Sequence, residues 1–365
     1  LYNGNAGIGF FMSYLSRFAK RPETYSHITE QCVFAIQRAL NELKEKEEFL
    51  KYADSGAFTG VSGYLYFLQH AGTVQKKNEW IELIHEALPV LEAVIEQDEN
   101  CDIISGSAGA LMVLMSLYEQ LDDPVFLKLA EKCAGHLLQH KTNIENGAAW
   151  KDPHTQNYYT GFAHGTSGIA AALSRFNKVF DSQSLKKIIS QCLAFEKQLY
   201  IASEKNWGSK GREQLSVAWC HGAAGILLSR SILRENGVND PGLHTDILNA
   251  LETTVKHGLG NNRSFCHGDF GQLEILRGFR EEFSELNTII QNTEDRLLTY
   301  FQENPFSKGV SRGVDSAGLM LGLSGVGYGM LQCQYGEELP ELLQLSPPQA
   351  LIKKNSKAFK RENVF

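Results

Sequence analysis

The chain has 365 residues, 43% apolar and 21% charged, with a formal net charge of −7. Twenty Phe and thirteen Tyr at that charge density exclude a disordered chain, and the mild acidity without a dense Lys/Arg stripe argues against a nucleic-acid binder. No apolar run reaches the ~20 residues of a membrane span. Seven Cys at positions 32, 101, 133, 192, 220, 266 and 333 are odd in number and irregular in spacing, unlike a disulfide framework. A cytoplasmic globular protein is expected.

In chain order, one motif recurs. Of 33 Gly, fourteen form a regularly spaced series of pairs three apart: Gly4/Gly7, Gly60/Gly63, Gly106/Gly109, Gly165/Gly168, Gly222/Gly225, Gly268/Gly271 and Gly322/Gly325. Successive pairs are 56, 46, 59, 57, 46 and 54 residues apart, which reads as seven structural repeats. Each pair runs into a short segment that is apolar nearly all round, such as Ala108 to Leu117 or Ile226 to Leu233, as in a buried helix. Between them lie amphipathic segments. Thr24 to Lys44 carries Ile28, Cys32, Ile36, Ala39 and Leu43 on one helical face, and Phe126, Ala130, Cys133 and Leu137 repeat the pattern. No strand alternation stands out. The expected fold is all-α: an α/α-toroid of about seven inner helices wrapped by outer helices, with the Gly pairs at inner-helix N-termini. Glycine there would permit unusual φ and close backbone approach.

The expected organisation is one toroid over residues 1–348 and a polar tail over 349–365, carrying Lys353, Lys354, Lys357, Lys360 and Arg361. Six outer segments separate seven inner ones, and Glu337 to Pro348 is too short and Pro-interrupted to be the seventh. With Leu1 at the start, a fragment of a longer chain is expected, with upstream residues supplying the rest.

Seven loops ending at inner-helix N-termini converge on one end of a toroid, so polar residues beside the Gly pairs share a cavity. Three of these loops carry metal-capable side chains: His164-Gly165, Trp219-Cys220-His221-Gly222 and Cys266-His267-Gly268-Asp269. Thiolates with imidazole favour Zn²⁺, and three protein ligands leave a fourth position open. The fifth and sixth loops are neighbours, so Cys220, Cys266 and His267 are the expected ligands. Cys32, Cys133 and Cys192 lie on outer-helix segments and read as packing residues.

These loops resemble those of the lanthionine synthetase C-like cyclase family, a likeness running from Leu1 to about Pro348. Leu1-Tyr2-Asn3-Gly4, Asp102-Ile103-Ile104-Ser105-Gly106 and Gly161-Phe162-Ala163-His164-Gly165 are most similar to the C-terminal cyclase domain of class II, LanM-type lanthipeptide synthetases. The resemblance implies a zinc-dependent cyclase. It would add Cys thiols of a dehydrated, ribosomally made precursor peptide to dehydroalanine or dehydrobutyrine, forming thioether rings downstream of a dehydratase domain. It also implies an acid role for His164, which titrates near neutrality; the bland alternative is a loop histidine. Asp102 matches a family Asp and would orient His164, receive the thiol proton, or only cap its loop. His221 stands where standalone cyclases tend to carry Tyr, as a second acid or a partner of the ligands. Ser216 stands where those enzymes usually carry Arg, leaving the enolate-stabilising group unassigned.

Other readings are a relative joining glutathione to dehydroamino acids and a non-catalytic, zinc-stabilised peptide-binding toroid. A toroidal glycosidase would need a pair of loop carboxylates, and no convincing pair is seen. A prenyltransferase-like toroid would use an Asp-Cys-His ligand set.

Overall fold

The computed structural model describes residues 1–209, 215–304 and 316–349; the tail expected over 349–365 lies almost wholly outside them. Thirteen helices of nine or more residues alternate between an inner and an outer ring among the described residues. The inner helices are α1 (Asn5–Phe18), α3 (Val61–Gln75), α5 (Ser107–Leu121), α7 (Thr166–Phe180), α9 (Ala223–Glu235), α11 (Asp269–Arg277) and α13 (Leu323–Tyr335). The outer ones are α2 (Pro22–Glu45), α4 (Asn78–Glu96), α6 (Pro124–His140), α8 (Gln183–Gln198), α10 (Leu243–Thr253) and α12 (Leu286–Glu303). Each inner helix packs on the next, and α1 packs on α13, closing the ring.

Composition explains the two rings. The first turns of α5, α7 and α9 are buried on every side, and that of α3 everywhere but at Tyr64, as all-round apolar character demands. Outer helices bury one stripe. On α2 that stripe runs through Thr29, Cys32, Val33, Ile36 and Leu40, while Ile28, Ala39 and Leu43 are only half-buried. The expected face is therefore rotated slightly. Phe126, Ala130, Cys133 and Leu137 of α6 are buried as expected, as is Cys192. Two short hairpins, Thr142–Ile144 with Gly147–Ala149 and Tyr200–Ile201 with Asn206–Trp207, were not legible as alternation because their strands are only two or three residues long.

The first glycine of every pair is the N-cap of an inner helix. Unusual φ is not the general reason, since six of the seven are extended; only Gly222, at φ +85°, is left-handed. Close approach is the reason. Trp219 O lies against Gly225, Phe162 O against Gly168 and Phe265 O against Gly271, each nearer than a Cβ would allow.

The loops are stitched edge to edge by backbone bonds that pass from repeat to repeat. Tyr2 N donates to Phe58 O (2.8 Å), Ala57 N to Ile103 O (3.1 Å) and Ile103 N to Ala163 O (3.1 Å). Phe265 N donates to Met320 O (3.1 Å), and Leu319 N to Tyr2 O (3.0 Å) joins the last repeat to the first. At the opposite end, the segment after α13 forms only a short 3-10 turn, Gly336–Glu338, over its described residues and then plugs the ring. Tyr328 Oη donates to Pro340 O (2.7 Å), Tyr66 Oη to Ser346 O (2.8 Å), and Leu343 N to Glu274 Oε1 (2.6 Å). Midway along the wall, the fully buried Arg230 of α9 pairs with Glu196 of α8 (2.7 Å) and Asp246 of α10 (3.0 Å), tying one inner helix to two outer ones.

Candidate functional site

The fifth loop is a tight turn over residues 216–222. Ala218 N donates to His221 O (3.0 Å), Val217 bridges Gly222, and Asn206 Nδ2 donates to Ser216 O (3.0 Å). Gly222 sits directly on that Ser216 carbonyl, so its left-handed turn leaves no room for a side chain. The turn holds Cys220 at 4% exposure. In the sixth loop, Asn262 Oδ1 accepts from Ser264 N (3.0 Å) and Asn262 Nδ2 donates to His267 O (3.1 Å). Cys266 N donates to Met320 O (3.2 Å) of the seventh.

Cys220, Cys266 and His267 are brought together, each offering a ligand atom within 4.8 Å of the others. Cys266 Sγ lies 3.7 Å from His267 Nε2. The Cys266 thiol, hydrogen-bonded to Cys220 and aided by His267, holds Cys220 well below the usual thiol range; the same bond, with burial, pushes Cys266 up. Two sulfurs and one imidazole on two separately braced loops suit a borderline-soft divalent ion such as Zn²⁺. Sequence reasoning missed one neighbour. Tyr2 lies beside Cys266, and its hydroxyl works to lower the Cys266 thiol, a proximity visible only once the ring closes the first repeat against the seventh.

His164 and Asp102 meet across the third and fourth loops, Nδ1 to Oδ2 at 2.7 Å. Asp102 divides its oxygens. Oδ1 accepts from Ser105 N (2.7 Å) and Gly106 N (3.1 Å) at the start of α5, while Oδ2 faces the imidazole. Capping and orienting are thus both served. Burial alone would lower the His164 pKa, but the Asp102 carboxylate overrides it, and the balance is raised above the ordinary imidazole value. The His164 side chain is 39% exposed, so water screens part of this effect. The His221 ring stacks on His164 at 5.6 Å between centroids and meets Tyr159 edge-on at 6.0 Å. Ser216 supplies no positive charge.

Fold and site together define a class: an α/α-toroid with a thiol–imidazole cluster where its loops converge and a His–Asp pair beside it. The lanthionine synthetase C-like protein family matches residues 1–344, and the chain belongs to that family. It is 24% identical over 301 residues to the lacticin 481/lactococcin biosynthesis protein LcnDR2 of Lactococcus lactis subsp. lactis, covering 76% of this chain but 30% of that protein. It is 22% identical over 282 residues to the glutathione S-transferase LANCL1 of Danio rerio, covering 74% of this chain and 67% of that one. Among solved structures, nisin cyclase superposes with a TM-score of 0.73 at 15% identity, over 94% of this chain and 91% of its own. No helix among the described residues is long and apolar enough to cross a membrane.

Proposed function

We propose that this chain is a zinc-dependent lanthipeptide cyclase, folded as one toroid over residues 1–348. The observation that carries the reading is the Cys220–Cys266–His267 cluster within 4.8 Å, with the His164–Asp102 pair 2.7 Å apart beside it. Cys220, Cys266 and His267 would hold a zinc ion, whose chemistry when bound would be to lower the pKa of a substrate thiol. The reaction forms a C–S bond between a peptide Cys sulfur and the β-carbon of a dehydroalanine or dehydrobutyrine. The thiol proton is lost, and the resulting enolate takes a proton at its α-carbon. Family membership and the likeness to a lacticin biosynthesis protein support a dehydrated, Cys-bearing precursor peptide as substrate, made by a preceding dehydration of Ser and Thr. Seven free Cys suit a reducing compartment, read here as the cytoplasm.

The chain's own groups divide the proton work. His164 Nδ1 is committed to Asp102, so Nε2 is the nitrogen that carries a proton to the α-carbon. Asp102 favours the charged form of the imidazole and orients it, and His221 stacks on one face of its ring. The test mixes the protein with a dehydrated, thiol-bearing peptide. Loss of alkylatable thiol at constant peptide mass is expected, and Cys220→Ala should abolish it with most helicity retained, because the toroid has its own core. A metal-free preparation of full activity would overturn the assignment. The likeness to a glutathione S-transferase favours one rival, addition of glutathione to a dehydroamino acid. There the peptide would gain the mass of glutathione.

A further inference from the structure

Away from the loop cluster, the described residues bring one more Cys and two His together. Cys101, His136 and His140 each offer a ligand atom within 4.8 Å of the others. His136 and His140 are one turn apart on α6, their rings stacked 4.1 Å between centroids. Cys101 comes from the loop between α4 and α5. It is buried, and its backbone is held at φ +58°, a left-handed conformation that a non-glycine residue adopts at a cost. Asp98 pins that turn: its Oδ2 accepts from Cys101 N (3.2 Å) and Ser107 N (2.7 Å).

Each imidazole is held by a backbone carbonyl, and the stacked rings, 28° apart, must swing apart for both to reach one ion. His136 Nε2 lies 2.7 Å from Asp98 O, and His140 Nδ1 lies 2.9 Å from His136 O. A nitrogen facing a carbonyl must carry the hydrogen, so the lone pairs fall on Nδ1 of His136 and Nε2 of His140. Such carbonyl partners fix the tautomer in metal sites. His140 is exposed while Cys101 is buried, giving an ion a path in from the surface.

We propose that Cys101, His136 and His140 form a second metal site, separate from the loop cluster and suited to a borderline-soft divalent cation of the zinc class. One thiolate and two imidazoles is a zinc-type donor set with one coordination position left for water. An ion there ties outer helix α6 to the residue preceding Asp102, so its role is to brace the loop carrying that carboxylate. The proposal does not depend on the cyclase reading.

The test uses the full chain with Cys220 and Cys266 both replaced by Ala, which removes the loop cluster. Titrated with Co²⁺, this protein should bind one ion per chain and show a sulfur-to-cobalt charge-transfer band with tetrahedral d–d absorption. Cys101→Ser should abolish the charge-transfer band. His140→Asn, at an exposed position where folding is not at risk, should abolish stoichiometric binding. With an intact loop cluster, the chain should hold two zinc ions, and His140→Asn should reduce that to one. Absence of Co²⁺ binding, binding without a thiolate band, or a band indifferent to His140→Asn would each overturn the site.

Discussion

Gly225 is the sharpest place to test why the glycine pairs exist. In an ordinary helix, Gly→Ala gains about 0.5–1 kcal/mol, because Ala has less backbone freedom to lose. At Gly225 the new Cβ would run into Trp219 O and lie 2.9 Å from Phe162 N, both backbone atoms of stitched loops. Overpacking against atoms that cannot rotate away costs about 1–3 kcal/mol, so the gain is reversed to a net loss of about 1 kcal/mol. For a chain this long the melting temperature should fall by roughly 1–2 °C. Gly135 is the control. It lies inside α6 with nothing within 4 Å of a Cβ, so Gly135→Ala should raise the melting point slightly. Because Trp219 precedes Cys220, Gly225→Ala should also weaken zinc retention during dialysis against a chelator, whereas Gly135→Ala should not. Thermal unfolding followed by circular dichroism, with metal counted per chain, reads both effects. A Gly225→Ala protein melting at or above the unmodified one would refute the close-approach argument.

His164→Asn should keep its zinc and slow ring formation by about 10²–10⁴-fold, the usual contribution of a general acid; loss of the metal would instead make His164 a ligand or a prop. Asp102→Asn keeps an oxygen for Ser105 N and Gly106 N but removes the charge that raises the His164 pKa. An acid must be protonated to act, so the falling limb of the pH–rate profile should move to lower pH; an unmoved limb would remove Asp102 from this role. The same raised pKa means that the pair stabilises the fold fully below the ordinary imidazole value of about 6.5 and loses this as pH rises through the raised one. Asp102→Asn should therefore cost stability on the acid side only, as seen by urea unfolding at several pH values. Arg230→Met should destabilise by about 3–5 kcal/mol, because it leaves buried Glu196 uncompensated; adding Glu196→Gln should recover part of the loss.

Much of the architecture is local, and for that reason it could be read from the chain. The all-round apolar segments behind each Gly pair and the one-sided stripes between them dictate buried and half-buried helices wherever they sit. The glycines marked the seven inner N-termini because each is needed by its own turn and the carbonyl six residues before its partner. Cys220, Cys266 and His267 were legible because their loops belong to consecutive repeats. What only the tertiary structure decided depends on closure. Tyr2 reaches Cys266 because the seventh repeat bonds back to the first, bringing together residues with no proximity in sequence. Asp102 and His164 are 62 residues apart, and only the lateral stitching of the third and fourth loops chooses orientation over a purely local cap. Cys101 carried no signal alone, since its histidines lie on an outer helix that docks beside its loop only after folding. Helical periodicity and glycine turns act within about twenty residues, whereas the ring that aligns donors from different repeats is a property of the whole chain.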